Sequence, residues 1–179
     1  MSSYIAPAEI AVVGRASRYL TLEDIESMIA DGNNAAVIPI CGDCLEGAGV
    51  PDGGWVAVDF TRYPAPPRPK AQGGTRGDLC LCYAVPPGGC GPVVMSKEYV
   101  GKWGGTHLVG TKYKSMWNGD KLRMNWAVPA QRIFGAIFAA WDSAGKLLWT
   151  RSPEEFPEAL GGVPTIGGDI ELTKSTGAC

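Results

Sequence analysis

The sequence predicts a mainly β fold, compact and barrel-like or sandwich-like, with one short helix near the N-terminus. Two observations lead to this prediction: short apolar or alternating runs recur between turn residues, and the 179 residues include 25 glycines and 14 prolines. Many short strands at close spacing are typical of such β domains. The length favours a single domain with a sizeable core.

The helix is predicted near residues 21 to 31, within an N-terminal segment that covers residues 1 to 34. Thr21 and Asp24 have the spacing of a capping box. Apolar residues then recur on one face, and Gly32 follows where the helix should end. The helix is therefore amphipathic and should pack on another part of the domain. Residues 10 to 13 could form a short extended piece before it.

The β domain itself is predicted over residues 35 to 150, where short apolar runs alternate with Gly, Asp and Asn turns. The predicted strands are Ala35 to Cys41, Gly54 to Phe60, Leu79 to Val85, Val93 to Val100, His107 to Tyr113, Leu122 to Val128, Ile133 to Trp141 and Lys146 to Thr150. An Asp-Ser-Ala-Gly turn separates the last two runs, which predicts a hairpin.

Two Pro-rich stretches stand apart from this pattern. Residues 61 to 77 hold four prolines, which cannot serve a central strand, so we expect an exposed excursion there. Residues 151 to 179 are rich in Pro and Gly and form a tail that should be extended, mobile or docked on a partner.

Charge and hydropathy exclude several classes of protein. The formal net charge of −2 provides no strong positive field, so direct nucleic-acid binding is not expected. The first residues lack a basic group before their apolar stretch, so they do not resemble a signal peptide. The longest apolar run, Ile133 to Trp141, is too short to span a bilayer. We therefore expect a cytoplasmic protein with no membrane association and with reduced cysteines.

The most informative segment is residues 40 to 59, which place a cysteine in a Gly-Asp turn between two β runs. It contains three motifs in order: Gly42-Asp43-Cys44-Leu45-Glu46, Val50-Pro51-Asp52-Gly53 and Val56-Ala57-Val58-Asp59. This pattern resembles the active-site signature of the LexA, UmuD and phage-repressor peptidase domains. Cys44 stands where that family carries its nucleophilic serine.

Later elements resemble the same family in the same order, so the similarity covers about residues 35 to 141. They are Gly77-Asp78-Leu79-Cys80-Leu81-Cys82, the strand Val93 to Tyr99 and Ile133-Phe134-Gly135-Ala136-Ile137. The resemblance implies a LexA C-terminal-domain-type fold of bacterial or phage origin that cleaves a peptide or protein substrate without a cofactor and forms homodimers. It also implies that Lys97 is the catalytic lysine.

The chemistry of the residues fits these roles. A lysine acts as a general base only if desolvation lowers its pKa, and strand alternation places Lys97 on one face with Val93, Met95 and Tyr99. Cys44 would be the nucleophile and Lys97 its proton acceptor. Backbone N–H groups of the turn at Gly42 and Asp43 would stabilise an oxyanion. A thiolate beside an ammonium needs no further base.

Each of these residues also has a simpler interpretation. Cys44 could be a buried unreactive thiol, and Lys97 could be an ordinary lysine that protects a strand edge. The carboxylates Asp43, Glu46 and Asp52 are expected to form turns. The single histidine, His107, is expected to be structural, with a role as partner of Cys44 as the alternative.

A four-thiolate zinc site is a further alternative, formed by Cys41, Cys44, Cys80 and Cys82. The first pair has the common Cys-x-x-Cys spacing, but the Cys-x-Cys of the second pair is a poor half-site because no turn brings its two side chains together. A redox Cys-x-x-Cys lacks the βαβ context of thioredoxin-like proteins.

Three functions therefore remain open. The first is a cysteine–lysine peptidase or amidase that acts on a peptide in trans, and the second is a catalytically silent dimerisation or peptide-binding module of the same fold. The third is a zinc-stabilised β domain. Self-cleavage is not expected, because the only Ala-Gly or Cys-Gly bond before Cys44 is Cys41-Gly42 inside the motif.

Overall fold

The chain forms one α-helix and eleven β-strands within the residues that the computed structural model describes, which confirms the mainly β prediction. The described residues are 11–12, 20–68, 77–86, 88–110, 116–118, 121–124, 127–152, 155–156 and 170–172. No helix in these ranges is both long and apolar enough to cross a membrane.

The helix α1, Leu22–Ala30, begins at the predicted capping box. The Thr21 hydroxyl accepts from the Asp24 N–H at 3.1 Å, and the Thr21 N–H donates to the Asp24 carboxylate at 2.8 Å. These two bonds satisfy donors that a helix start leaves without a partner. Ile25 is fully buried and anchors the helix to the sheet.

The strands form two sheets, and their bounds follow. They are β1 Ala11–Val12, β2 Ala35–Pro39, β3 Trp55–Asp59, β4 Leu79–Ala84, β5 Val93–Trp103, β6 Thr106–Gly110, β7 Met116–Asn118, β8 Lys121–Met124, β9 Ala127–Trp141, β10 Leu147–Thr150 and β11 Ile170–Leu172. The larger sheet has the order β1-β2-β3-β9-β4-β5-β6, with β10 on β9, and the smaller has the order β11-β8-β7. The predicted hairpin between the last two runs is the antiparallel pair β9–β10.

The long strand β9 organises the larger sheet. It pairs antiparallel with β3 and β4, and its first residues also pair with β6. At Gly135 a Cβ atom would lie 2.1 Å from the carbonyl oxygen of Asp59, so only glycine lets the two strands approach this closely. This contact explains the glycine in the Ile-Phe-Gly motif.

Several predicted strands differ from the observed ones. The predicted run Leu122 to Val128 is not one strand, because β8 ends at Met124 in the smaller sheet and β9 starts at Ala127. β9 begins six residues before the predicted Ile133, because residues 127 to 130 pair with β6. β7 and β11 were not predicted. Residues 111 to 113 of a predicted strand lie outside the described residues, as does most of the C-terminal tail.

The Pro-rich excursion is not wholly exposed, contrary to prediction. Pro64 and Pro67 are buried, and Ala65 exchanges hydrogen bonds with Asp78 at 2.7 and 2.9 Å. Asp78 also forms an ion pair with Arg151, which joins this segment to the residues that follow β10. The described part of the excursion is therefore packed on the domain, because the Asp78 carboxylate binds it.

The two faces of β4 belong to different parts of the core. Leu79 and Leu81 pack with α1, β2 and β3, whereas Cys80 and Cys82 pack with Met95, Tyr99 and residues of β6 and β9. β4 lies between β9 and β5, so both of its edges are paired, and the buried side chains of residues 79 to 82 show that both of its faces are covered as well. This second, sulfur-rich cluster lies on the same face of the sheet as the lysine described next.

Candidate active site

The turn that carries Cys44 is fixed on both sides by hydrogen bonds. Before it, the Ile40 N–H donates to the Gly54 carbonyl at 2.8 Å, and the Gly53 N–H donates to the Ile40 carbonyl at 3.0 Å. Gly42 has a φ of 93°, which favours glycine, and its N–H donates to the Asp52 carboxylate at 2.7 Å. Asp52 is therefore a turn former, as predicted.

After Cys44 the chain is anchored to the core. Leu45 and Val50 are buried, and the Val50 N–H donates to the Leu45 carbonyl at 3.1 Å. A single 3₁₀ turn, Glu46–Ala48, lies between them, and the Glu46 N–H donates to the Asp43 carbonyl at 3.1 Å. These anchors fix where the Cys44 side chain lies.

Lys97 reaches Cys44 from the other side of the site. It lies on β5 opposite Cys80 of β4, and only 4% of its surface is exposed. Its Nζ donates to the Cys44 Sγ at 3.0 Å, so the fold brings together two residues that are 53 positions apart. An exposed lysine at a strand edge, the simpler interpretation of Lys97, is wrong because the side chain is buried.

Burial also changes the proton affinity of Lys97. Desolvation lowers the pKa of Lys97 to about 8, while negative charge at Cys82 and Asp43 acts in the opposite direction. At pH 7 about one molecule in ten then carries a neutral amine. Lys97 can therefore both donate and accept a proton near neutral pH, which an ordinary lysine cannot do.

A cleft of about 390 Å³ opens beside this pair. Most of its lining is apolar, and among the described lining residues Lys97 carries the only ionisable side chain apart from those of the cysteines. The apolar lining includes Leu20, Ile38, Leu81, Val94 and Met95. The cleft therefore suits a mostly uncharged ligand segment, because a cation would lose hydration without an anionic partner in the lining and the one amine of the lining already contacts Cys44.

Two strand edges border the cleft. The N–H and the carbonyl of Ile40 both bond to the chain just before β3, so the carbonyl of the preceding Pro39 is directed to the opposite edge of β2. At that edge the two described residues of β1 pair with Ala36 and Val37. On β5, the pairing with β6 begins at Glu98. Residues 38–40 and 93–97 line the cleft; residues 38 and 39 pair with β3 and residues 93 to 97 with β4, and at the opposite edge of residues 38–39 and 93–96 the described part of the chain shows no second strand pairing.

Cys44 is also disulfide-bonded in this structure. Cys41, Cys80, Cys82 and Cys90 are not in disulfide bonds, so none of them is bonded to Cys44. The sixth cysteine, Cys179, lies outside the described residues. The prediction that the cysteines are reduced therefore does not hold for Cys44, which must be reduced before it can act as a nucleophile.

The zinc alternative is wrong for the described residues. Cys80 and Cys82 are fully buried in the core, whereas Cys41 is exposed. No three His, Cys, Asp or Glu side chains within the described ranges are arranged to hold a metal ion. The Cys-x-Cys pair fails as a half-site because β4 is covered on both faces.

His107 does not line the cleft, so its role as partner of Cys44 is not supported. Its Nδ1 lies 3.2 Å from the Tyr99 hydroxyl, and burial lowers the pKa of His107. This contact fits the predicted structural role.

Of the turn residues assigned to oxyanion stabilisation, Gly42 already donates its N–H to the Asp52 carboxylate, so that N–H serves the turn.

One part of the cleft lining was not predicted from the sequence. The loop between β4 and β5 contributes Pro86, Gly88 and Gly89, and the residue before α1 contributes Leu20. The Pro-Gly composition signals a loop but does not show which way the loop folds.

No match is found for this chain among protein-family models, curated proteins or solved structures.

Proposed function

We propose that the reduced protein is a cysteine–lysine hydrolase that cleaves an amide bond of a peptide in trans. The observation that supports this proposal is the 3.0 Å contact between the Lys97 Nζ and the Cys44 Sγ. Burying a lysine costs free energy, and such strongly perturbed groups are concentrated at functional sites. Here the buried amine of Lys97 is directed at a cysteine sulfur.

The proposed reaction has two steps. The Cys44 thiolate attacks the substrate carbonyl carbon, and the Lys97 ammonium then protonates the leaving amine as the C–N bond breaks. The neutral Lys97 next removes a proton from water, whose oxygen attacks the thioester carbon and releases the acid and the thiolate. The backbone N–H of Cys44 would stabilise the oxyanion in both steps.

The substrate segment would bind in an extended conformation. Residues 38–39 and 93–96 border the cleft with strand edges on which no further described strand is paired, and adding a strand to such an edge is a common way to bind peptides. The apolar lining favours uncharged residues around the cleaved bond. The same mode of binding would apply if the protein were a catalytically silent peptide-binding module, which would use the same cleft without cleaving the peptide.

The fold proposed for this function is the barrel-like LexA C-terminal-domain type. The proposal is supported by the order of the motifs and by β9, which pairs with both β4 and β6. A homodimer and a cytoplasmic location belong to the same proposal, since they come from the resemblance and from composition.

A peptide-library cleavage assay tests the function. The chain, reduced with dithiothreitol, is incubated with a library of uncharged and charged peptides, and products are identified by mass spectrometry. We expect cleavage of uncharged segments, with at least a hundredfold loss in both Cys44→Ala and Lys97→Met. Cys90→Ala is the matched control, since Cys90 is exposed and does not line the cleft. Cleavage that survives Cys44→Ala would reject the proposal.

A further inference from the structure

The pair formed by Lys97 and Cys44 has a second reaction within reach, because a neutral amine is itself a nucleophile toward a thioester. The Lys97 Nζ lies 3.0 Å from the Cys44 Sγ, and the two residues are only 4% and 8% exposed. An acyl carbon on that sulfur is one covalent bond away from it. The amine can therefore reach the separation of about 3 to 3.5 Å at which nucleophiles attack.

We propose that Lys97 is a self-acylation site: reduced Cys44 takes the acyl group of an apolar thioester from the cleft and passes it to the Lys97 amine. This assigns to the cleft a second class of ligand, thioesters with a small uncharged acyl chain. The proposal rests on the nucleophilic Cys44 of the function proposed above, but not on the cleavage of any peptide.

The transfer has two balanced steps and needs no oxidant or reductant. The Cys44 thiolate first attacks the thioester carbon of the donor, whose C–S bond breaks and releases the thiolate of the donor. The neutral Lys97 amine then attacks the new thioester, an amide C–N bond forms, and the Cys44 thiolate leaves. The nitrogen loses one proton in this step, and the departing thiolate takes it up.

The burial of Lys97 supports the second step, because only a neutral amine has the lone pair that attacks carbon. Desolvation lowers the pKa of Lys97 to about 8, so about one molecule in ten has a neutral amine at pH 7. The product also suits a buried position, since an amide nitrogen carries no charge that must be desolvated.

The cleft determines which acyl groups are transferred. Its volume of about 390 Å³ is at the small end for ligand pockets, and its lining includes the apolar Ile38, Leu81 and Met95. Cys44 and Lys97 both line it, so an acyl chain held there meets the sulfur and the amine together. A cationic group on the chain would lose hydration without an anionic partner among the described lining residues.

Self-acylation would end hydrolysis by the same pair. An amide nitrogen neither protonates a leaving amine nor removes a proton from water, so a chain with acylated Lys97 lacks both the acid and the base of the proposed reaction. Apolar thioesters are therefore inactivators of the hydrolase, and the site itself catalyses the inactivation.

The hexanoyl thioester of N-acetylcysteamine tests the proposal. The full chain, reduced with dithiothreitol and then freed of it, is incubated with the thioester at pH 8, and acylated peptides are quantified by mass spectrometry over time. We expect Lys97 to be acylated at least about a hundredfold faster than Lys146, an exposed lysine outside the cleft. A hydroxylamine-sensitive acyl group on Cys44 should precede the resistant amide on Lys97.

Two variants separate the steps. Cys44→Ala should abolish the rapid acylation of Lys97, and Lys97→Met should keep the acyl group on Cys44. Acylation of Lys97 no faster than that of Lys146, or an unchanged rate in Cys44→Ala, would overturn the proposal, as would an acyl group that stays on Cys44 in the wild type. The comparison of the two lysines is made within the wild type, so it stands even if a variant fails to fold.

A matched donor tests the ligand class. The same acyl chain ending in a trimethylammonium group should be transferred at least about tenfold more slowly, and equal rates would overturn the assignment of the cleft. These assays are independent of peptide cleavage. If Lys97 is acylated but the reduced chain cleaves no peptide, the hydrolase proposal fails and self-acylation stands. If peptides are cleaved and the thioester leaves Lys97 unmodified, self-acylation alone fails.

Discussion

The chain carries two closely spaced cysteine pairs, and they have opposite environments. Cys41 and Cys44 lie in a turn at the cleft, where Lys97 contacts the Cys44 sulfur. Cys80 and Cys82 lie on β4 in the core, where burial and the neighbouring Cys82 raise the pKa of Cys80 well above its ordinary value. The reactivity of a thiol here is set by what surrounds it and not by its spacing from the next cysteine.

The largest expected effect is the contrast in labelling between the two pairs. In the reduced native protein, Cys80 and Cys82 should react with iodoacetamide only when the core opens, because both are fully buried. We expect Cys44 to react at least about a thousandfold faster, a difference of about 4 kcal/mol. The measurement is quantitative mass spectrometry of each labelled peptide over time. Similar rates at Cys44 and Cys82 would break the comparison.

The next effect concerns the free energy of unfolding. Because folding lowers the pKa of Lys97 from 10.5 to about 8, keeping this lysine buried costs about 3 kcal/mol below pH 8. The unfolded chain binds more protons between those pH values, so wild-type stability from this group rises through that window. Lys97→Met should therefore stabilise the unreduced protein, in which Cys44 carries no thiolate charge, by up to about 3 kcal/mol at pH 7.

This gain should shrink as pH rises and vanish near pH 10.5. Urea unfolding of wild type and Lys97→Met at pH 7 and pH 10 measures both values. The comparison of the two proteins at each pH cancels the titration of other groups. If Lys97→Met is instead less stable than wild type at pH 7, the contact between Lys97 and Cys44 stabilises the fold by more free energy than the burial of the amine costs.

A smaller effect is expected in the buried thiol pair. Cys82→Ser places a hydroxyl in an apolar cluster and should lower the free energy of unfolding by about 1 to 3 kcal/mol. Cys41→Ser is the matched control at an exposed site and should change it by less than about 0.5 kcal/mol. Urea unfolding under reducing conditions gives both numbers. Equal effects would show that burial does not separate the two pairs.

The smallest effect concerns the turn before Cys44. Asp52→Ala removes the acceptor of the Gly42 N–H and should cost about 1 kcal/mol, because the site is exposed to water. It should also slow the alkylation of Cys44. Asp142→Ala is the matched control, since Asp142 accepts two backbone N–H groups in the β9–β10 turn, which lies beside Gly53 but does not bond Gly42. It should cost similar stability and leave the alkylation of Cys44 unchanged.

Local signals in the sequence predicted local structure well. The capping box at Thr21 and Asp24 and the turn before β10 need only nearby residues, and both were found. The extent of β9 was not predictable in this way, because its first residues are held in a strand by β6 rather than by their own pattern. β11 likewise exists through its pairing with β8.

The candidate site likewise has one part that could be predicted from the sequence and one part that could not. The turn at Cys44 follows from Gly42 and Asp52, whose roles are readable in the motif. The approach of Lys97 depends on the pairing of β5 with β4 and of β4 with β9, so strand alternation alone could suggest it but not establish it. The disulfide at Cys44 was not predictable, because six cysteines allow many pairings.

The alkylation of Cys44 in reduced wild type and in Lys97→Met tests the central claim, that Lys97 activates this sulfur. Both proteins are treated with iodoacetamide at pH 7, and Cys90 in the same chain serves as the internal reference. Cys44 should react faster than Cys90 in the wild type, and its rate should fall at least tenfold in Lys97→Met while that of Cys90 stays constant. A Cys44 rate that is unchanged in Lys97→Met would contradict the account.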